Sequence, residues 1–313
     1  MNHTDTQPIV EVKNLNCRYG AFHAVSDLSF SVKPGEIYAL LGTNGAGKTT
    51  TLETVEGHRT ASSGTVKLFG ETAVKAKTRS RTGIMLQESG FAGDLTVKES
   101  VELFGSVSGR KDSVAQLLDA VQLSHRAKTR VTQLSGGEKR RLDFATAIYG
   151  SPELVFLDEP TNALDPESRD AMWGLVRELN NAGSTIVLTT HYLEEAERHA
   201  HRIGLMHNGA MALEGTIDEL VRSYPALISF TSTREVAAAL PNSERFTLEG
   251  NSLVLATQNL QQDLLQLLTW ADNHRLHLEN LRAQSSSLAD VFRAVANGSA
   301  PAGNAPVAGS TAA

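Results

Sequence analysis

Cysteine is almost absent from this chain. Cys17 stands alone among 313 residues, so no internal disulfide can form and a reducing compartment is the expected setting. Long apolar runs are also missing: the longest, such as 37–41, are strand-sized and far short of the roughly 20 residues that span a bilayer. The opening MNHTDTQPIVEV has neither the basic flank nor the apolar stretch of a secretory signal. Positive charge is in no excess, with 29 Lys and Arg against 35 Asp and Glu and a formal net charge of −6. A global electrostatic grip on nucleic acid is therefore not expected, though a local patch is still allowed. What is present is 41% hydrophobic residues, enough to bury a sizeable core. Composition points to a soluble, intracellular, globular protein, and its length to two domains at roughly 150 residues each.

Along the chain, strands alternate with helices. Segments 9–15 and 28–32 read as strands, with Pro34-Gly35 marking a turn. A short apolar run, 36–41, ends in a glycine-rich loop; a helix with Leu52 and Val55 on one face follows, then a strand over 65–68. The compact apolar runs 154–157 and 185–189 suit a buried parallel sheet, with helical spacing over 166–180 between them. Segments 203–206 and 210–213 flank His207-Asn208-Gly209 and predict a hairpin. Segment 91–133 is mostly helical, as if inserted into an α/β core. Beyond 221–225 the order is β (226–231), α (234–240), β (245–248), β (253–256), α (259–271), β (277–281), then a helix over 288–296. That βαββαβ order suits a ferredoxin-like α+β unit. The uncharged stretch 298–313 is expected to be a disordered tail. The basic stretches 75–81 and 139–141 are short and read as solvated faces.

Three motifs carry chemistry. Gly42-Thr43-Asn44-Gly45-Ala46-Gly47-Lys48-Thr49 fits G-x-x-x-x-G-K-[ST] between a predicted strand and a predicted helix. Its glycines let successive N–H groups point at a phosphate, the helix dipole adds positive potential, Lys48 reaches the β/γ-phosphates and Thr49 can hold Mg²⁺. Chance would produce the four fixed letters in about one such chain in a hundred, and the strand–loop–helix context lowers that further. A second motif, Leu154-Val155-Phe156-Leu157-Asp158-Glu159, puts a carboxylate at the end of a buried strand. There Asp158 can hold Mg²⁺, and Glu159 can act as general base on a water. The third, Leu134-Ser135-Gly136-Gly137-Glu138, precedes a helix. An N-cap explains Ser135, whereas two consecutive glycines suggest backbone approaching an anion.

Loop, LSGGE segment and Asp-Glu strand occur in the order seen in the ABC ATPases, which the chain resembles over about residues 8–222. The resemblance extends to Gln87 in Met85-Leu86-Gln87 as the Q-loop glutamine that touches Mg²⁺ and water, and to Ala163-Leu164-Asp165 as the D-loop with Asp165 its carboxylate. His191 after Thr189-Thr190 matches the switch histidine, and Tyr19 the aromatic that stacks on adenine, with Val25 beside it. Thr50 completes the expected ATP-binding set. Two departures are visible: Ala163 replaces the usual glycine, and the signature ends in Glu138 rather than glutamine.

The resemblance implies a P-loop NTPase core with a mixed sheet, an antiparallel β subdomain and a helical subdomain at about 88–140. It places an ATPase domain over 1–222 and a small α+β domain over 223–297. It further implies ATP and Mg²⁺ as ligands, and a head-to-tail dimer, of identical or related subunits, in which Ser135, Gly136, Gly137 and Glu138 reach the partner's ATP. The membrane spans would lie on a separate ABC-2-type permease. The subunit would then sit at the cytoplasmic face of a bacterial membrane and drive export of a small molecule, such as a drug or antibiotic. Segment 87–97, with Phe91 and Leu95, would receive a cytoplasmic helix of that permease. An importer subunit with a C-terminal regulatory domain is the alternative. A soluble ATPase acting on DNA or the ribosome would call for heptads, zinc-spaced cysteines or tandem ATPase units, which the sequence lacks; no nucleic-acid partner is expected.

Overall fold

The computed structural model describes residues 7–73, 76–88, 90–231, 236, 240 and 243–297. Those residues form two compact units, 7–216 and 217–297. The expected helix over 234–240 and the expected tail over 298–313 lie, wholly or mainly, outside the described residues.

In the first unit, β3 (Ile37–Gly42), β6 (Thr82–Met85), β7 (Leu154–Asp158), β8 (Thr185–Thr189), β9 (Arg202–His207) and β10 (Ala210–Gly215) make a six-stranded sheet in the order β10-β9-β3-β8-β7-β6. All neighbouring pairs are parallel except the β9–β10 hairpin. The near-continuous apolar strands β3, β7 and β8 are buried along their whole length, as a parallel sheet covered on both faces requires. A second, antiparallel sheet is formed by β1 (Val10–Tyr19), β2 (Phe22–Val32), β4 (Ser63–Leu68) and β5 (Glu71–Thr72), in the order β2-β1-β4-β5. Val12, Leu15 and Phe30 from this sheet share one core with Tyr38, Phe156 and Val187 of the other. Cys17 is 1% exposed in that core, its Sγ 3.3 Å from the Thr54 hydroxyl.

The helices are α1 (Lys48–Val55), α2 (Ala76–Arg79), α3 (Val97–Ser108), α4 (Val114–Ala120), α5 (Gly136–Ile148), α6 (Pro166–Asn181) and α7 (Leu193–His199). The stretch between β6 and α5 is helical as expected, with α3, α4 and two short 3₁₀ turns. Strand β6 is not legible in the sequence, since four residues interrupted by a glycine carry little strand signal. Its Gly83 is needed for packing: a Cβ there would sit 2.1 Å from the Ala147 carbonyl oxygen of α5.

The second unit begins with α8 (Ile217–Arg222), six residues before the boundary expected at 222, because α8 packs on α10 (Leu288–Ala296). Strands β11 (Ala226–Thr231), β12 (Phe246–Glu249), β13 (Ser252–Thr257) and β14 (Arg282–Gln284) form an antiparallel sheet in the order β12-β13-β11-β14. Its core joins Ile228, Phe230 and Leu255 to Leu267 and Ala271 of α9 (Leu260–Asn273). That strand order is the ferredoxin-like arrangement. The last strand is not at 277–281 as expected. Asn280 takes a left-handed φ of 53° and breaks the extended run, so beyond one bond from the Thr231 N–H to the Glu279 carbonyl (2.9 Å) the ladder with β11 begins at Arg282.

Candidate active site

Because β3, β8, β7 and β6 run parallel and adjacent, their C-terminal ends open on one side of the sheet, where ligands of such sheets bind. The loop 42–49 follows β3, Gln87 follows β6, Glu159 follows β7 and His191 follows β8. They meet at a cleft of about 710 Å³, lined by Asn44, Gly45, Gly47, Lys48, Thr49, Thr50, Gln87, Glu159 and His191, with Tyr19, Phe22, Ala24 and Asn162 at its rim.

The loop is shaped by two close approaches. A Cβ at Gly42 would lie 2.5 Å from the Met206 carbonyl oxygen, and one at Gly47 would lie 2.4 Å from that of Ala24. Both residues have positive φ, 156° and 96°, so only glycine fits without strain. Gly47 is also the N-cap of α1, which leaves the first helical N–H groups of α1 directed at the cleft. Lys48 is 7% exposed, and its Nζ donates to the carbonyls of Gly42 (2.9 Å) and Thr43 (3.2 Å). Burial pulls its ammonium below the usual lysine range, with Glu159 and Asp158 opposing.

Asp158 ends β7 at 5% exposure and accepts a hydrogen bond from the Thr189 hydroxyl. Burial raises its carboxyl above the ordinary aspartate value, against that hydrogen bond. Glu159 has a left-handed φ of 47°, which costs a non-glycine residue about 1–2 kcal/mol. The strain is held in place from both sides. The Glu159 N–H donates to Thr189 Oγ1 (3.0 Å), and its carbonyl accepts from Arg140 Nη2 (2.6 Å). Its carboxylate is oriented by Asn162 Nδ2 (3.0 Å) and lies 3.5 Å from His191 Nδ1. A carboxylate fixed in this way beside a lysine and a histidine can orient a water and accept its proton.

Tyr19 is 46% exposed at the end of β1; the Arg59 guanidinium lies 4.2 Å from its ring centroid, and its hydroxyl is 3.3 Å from Thr50 Oγ1. Of the residues expected at the nucleotide and its metal, Val25, Gly42, Thr43, Ala46 and Asp158 do not line the cleft. Val25 is fully buried beneath the loop, against Gly47, and does not line the cleft, because β2 pairs it with Cys17 in the core. Ala46 is 2% exposed, turned into the same core. Glu138 is buried in a capping box: its carboxylate accepts from the Ser135 N–H (2.8 Å) and from Arg126 Nε (2.7 Å), since the start of α5 has orphan donors to satisfy. Phe22, Asn162 and Arg140 had not been singled out. An aromatic pair around the β1–β2 turn, Tyr19 and Phe22, was the available signal for the first.

Beside the cleft, Ile84, Leu86, Phe91, Leu95, Leu103, Phe104 and Val107 line a groove of about 360 Å³, with Leu86, Leu103 and Val107 exposed. Among the described residues, no helix is long and apolar enough to cross a membrane.

Comparison with known proteins places these features in a family. Residues 25–162 match the ABC transporter family model, and residues 226–287 match that of the ABC transporter domain-containing protein-like C-terminal domain. The chain is 36% identical over 295 residues to the Nod factor export ATP-binding protein I of Paraburkholderia xenovorans, covering 90% of this chain and 95% of that one. It belongs to the ABC transporter ATP-binding family. The protein of the same name from Ralstonia nicotianae is 33% identical over 305 residues, covering 91% and 92%. A solved ATP-binding subunit of an ABC transporter superposes with a TM-score of 0.64 at 29% identity, over 68% of this chain and 92% of that one. Another, a dimeric ATP-binding cassette in a post-hydrolysis state bound to ADP and Pi, gives 0.61 at 25% identity, over 66% and 98%.

In this member of the family the LSGGE segment and Asp165 are not among the residues that line the cleft. Ser135 caps α5, its hydroxyl accepting from the Glu138 N–H (3.2 Å). Asp165 caps α6, accepting from Ser168 N (3.0 Å) and Ser168 Oγ (2.7 Å), bonds that hold its carboxyl below the usual range. Gly137 has an internal reason to be glycine, as a Cβ would meet Ser168 Oγ at 2.9 Å. Gly136 has none: nothing lies within 4 Å of a Cβ built there. Ala163 has a left-handed φ of 58°, a conformation that favours glycine.

Proposed function

We propose that this chain is the ATP-hydrolysing subunit of an ABC exporter, acting with a separate membrane permease. The observation that carries the reading is the convergence of Lys48, Gln87, Glu159 and His191 on one cleft at the ends of four adjacent parallel strands. ATP phosphates sit on the 42–49 loop and the α1 N-terminus, with Lys48 exchanging its two carbonyl partners for phosphate oxygens. Tyr19 stacks on the adenine. The donor set suits Mg²⁺, because Thr49, Gln87 and Asp158 offer only oxygen ligands and one carboxylate, the sparse protein shell this ion takes beside phosphates. Those residues would hold Mg²⁺, which would supply positive charge against the developing charge on the phosphates. Glu159 orients the attacking water and takes its proton as the water oxygen bonds to the γ-phosphorus and ADP leaves; His191 faces the γ-phosphate.

Ser135 and the bare Gly136 complete the partner's site in a head-to-tail dimer of identical or related subunits, as the open space at Gly136 supports. The apolar groove beside the cleft receives a cytoplasmic permease helix, which puts the chain at the cytoplasmic face of the membrane. Export rather than import is supported by the names of the relatives; the cargo is a small molecule. The test is Glu159→Gln. It should keep nucleotide binding, hydrolyse ATP at least about 100-fold more slowly, and accumulate as an ATP-bound dimer on size exclusion. Phosphate release at the parental rate would sink the reading.

A further inference from the structure

The basic run Lys139-Arg140-Arg141 hides one side chain turned inward. Arg140, on α5, is 7% exposed. A guanidinium has five N–H donors in a fixed plane, and here they reach five backbone carbonyls. Nη1 donates to Leu86 and Gln87 (both 2.9 Å), Nη2 to Asp158 (2.8 Å) and Glu159 (2.6 Å), and Nε to Pro160 (3.2 Å). The acceptors belong to the two segments that leave adjacent strands β6 and β7, and they include the backbone of Gln87 and of Glu159. One planar cation therefore fixes the spacing between these two segments. It also holds the peptide that follows the strained Glu159, while Thr189 holds the one before it. The same helix carries Ser135 as its N-cap, so a displacement of that end reaches the cleft through this side chain.

We propose that Arg140 is a positioning residue for ATP hydrolysis, locking the Gln87 and Glu159 backbones into one unit with the helix that bears Ser135. The proposal rests on the roles given to Glu159 and Gln87 above. Lysine, with three donors on a point charge, cannot reproduce the planar fork, and glutamine has only two donors. Steady-state hydrolysis, affinity for a fluorescent ATP analogue and the thermal midpoint should be measured on the full chain.

Arg140→Lys is expected to lower kcat about tenfold and Arg140→Gln about 100-fold, with nucleotide Kd moved less than about threefold. The Gln87→Ala background supplies the decisive readout: there Arg140→Lys should cost only about threefold instead of tenfold, because one of the two segments it positions no longer carries its amide while Glu159 still does. This cycle needs only the milder variant, so it stands even if Arg140→Gln does not fold. Parental kcat in folded Arg140→Lys would overturn the proposal, as would a loss matched by weaker nucleotide binding, or additive losses in the cycle. If Glu159→Gln is inactive while Arg140→Lys is fully active, only the Arg140 proposal falls; if Glu159→Gln is fully active, the functional reading beneath it falls.

Discussion

At the 42–49 loop, Gly42 and Gly47 are forced by neighbours within the chain, and the side chains nearby point into a shared cleft. Around Ser135 the pattern reverses. The polar side chains of Ser135, Glu138 and Asp165 are engaged in helix caps of their own chain, and Gly136 faces open space. Both segments are glycine-rich and both resemble family motifs, yet one is part of a site that a single chain assembles and the other is not. On the proposed reading Gly136 belongs to a surface for another molecule and not to a pocket of its own chain, which the open space at its Cβ position supports.

The comparison breaks most visibly at Lys48. Lys48→Ala should lower hydrolysis at least about 100-fold and weaken binding of a fluorescent ATP analogue; unaltered binding would mean that the loop does not form the phosphate site. Adjacent glycines give a sharper contrast at smaller amplitude. Gly136→Ala meets no neighbour and begins a helix, so folding stability should hold or rise by about 0.5–1 kcal/mol, while hydrolysis falls about tenfold. Gly137→Ala has the same helix gain but presses on Ser168, so its stability should fall about 1 kcal/mol below that of Gly136→Ala. Equal stability effects at the two positions, read by chemical denaturation, would erase the distinction drawn between them.

An effect on stability alone lies outside both motifs and separates loss of fold from loss of function. Burial against Trp173, with Arg177 and Arg198 adding to it, lowers His199 from 6.5 to about 4. The folded state keeps it neutral, whereas the unfolded chain protonates below about 6.5, so stability present above that pH is lost as pH falls toward 4. After allowance for its partial exposure, acidification from about pH 7 to 5 should cost roughly 1 kcal/mol through this group. His199→Gln should flatten that slope, and an unchanged slope would reassign the acid sensitivity elsewhere.

Much of this was readable in advance, for a physical reason. Spacing that serves backbone geometry survives in one dimension: the 42–49 glycines, the buried runs ending at Asp158 and Thr189, and the alternation in β11 and β13. Direction does not survive. Arg140 looks like its two basic neighbours until α5 is placed against the ends of β6 and β7. Glu138 reads as a ligand contact until the helix it caps exists. Val25 and Tyr19 read as one patch, although β2 turns the first into the core. Strand β14 was misplaced for the same reason: Leu278 and Leu281 do pack inward, but which residues pair is set by β11, not by their own pattern.

The solitary thiol has a practical consequence. With Cys17 sealed in the core and no other cysteine in the sequence, the native protein offers labelling reagents a blank surface. A cysteine introduced at an exposed site would be the one reactive handle on the molecule, so dyes, spin labels or crosslinkers could follow the approach of two subunits with no background to remove.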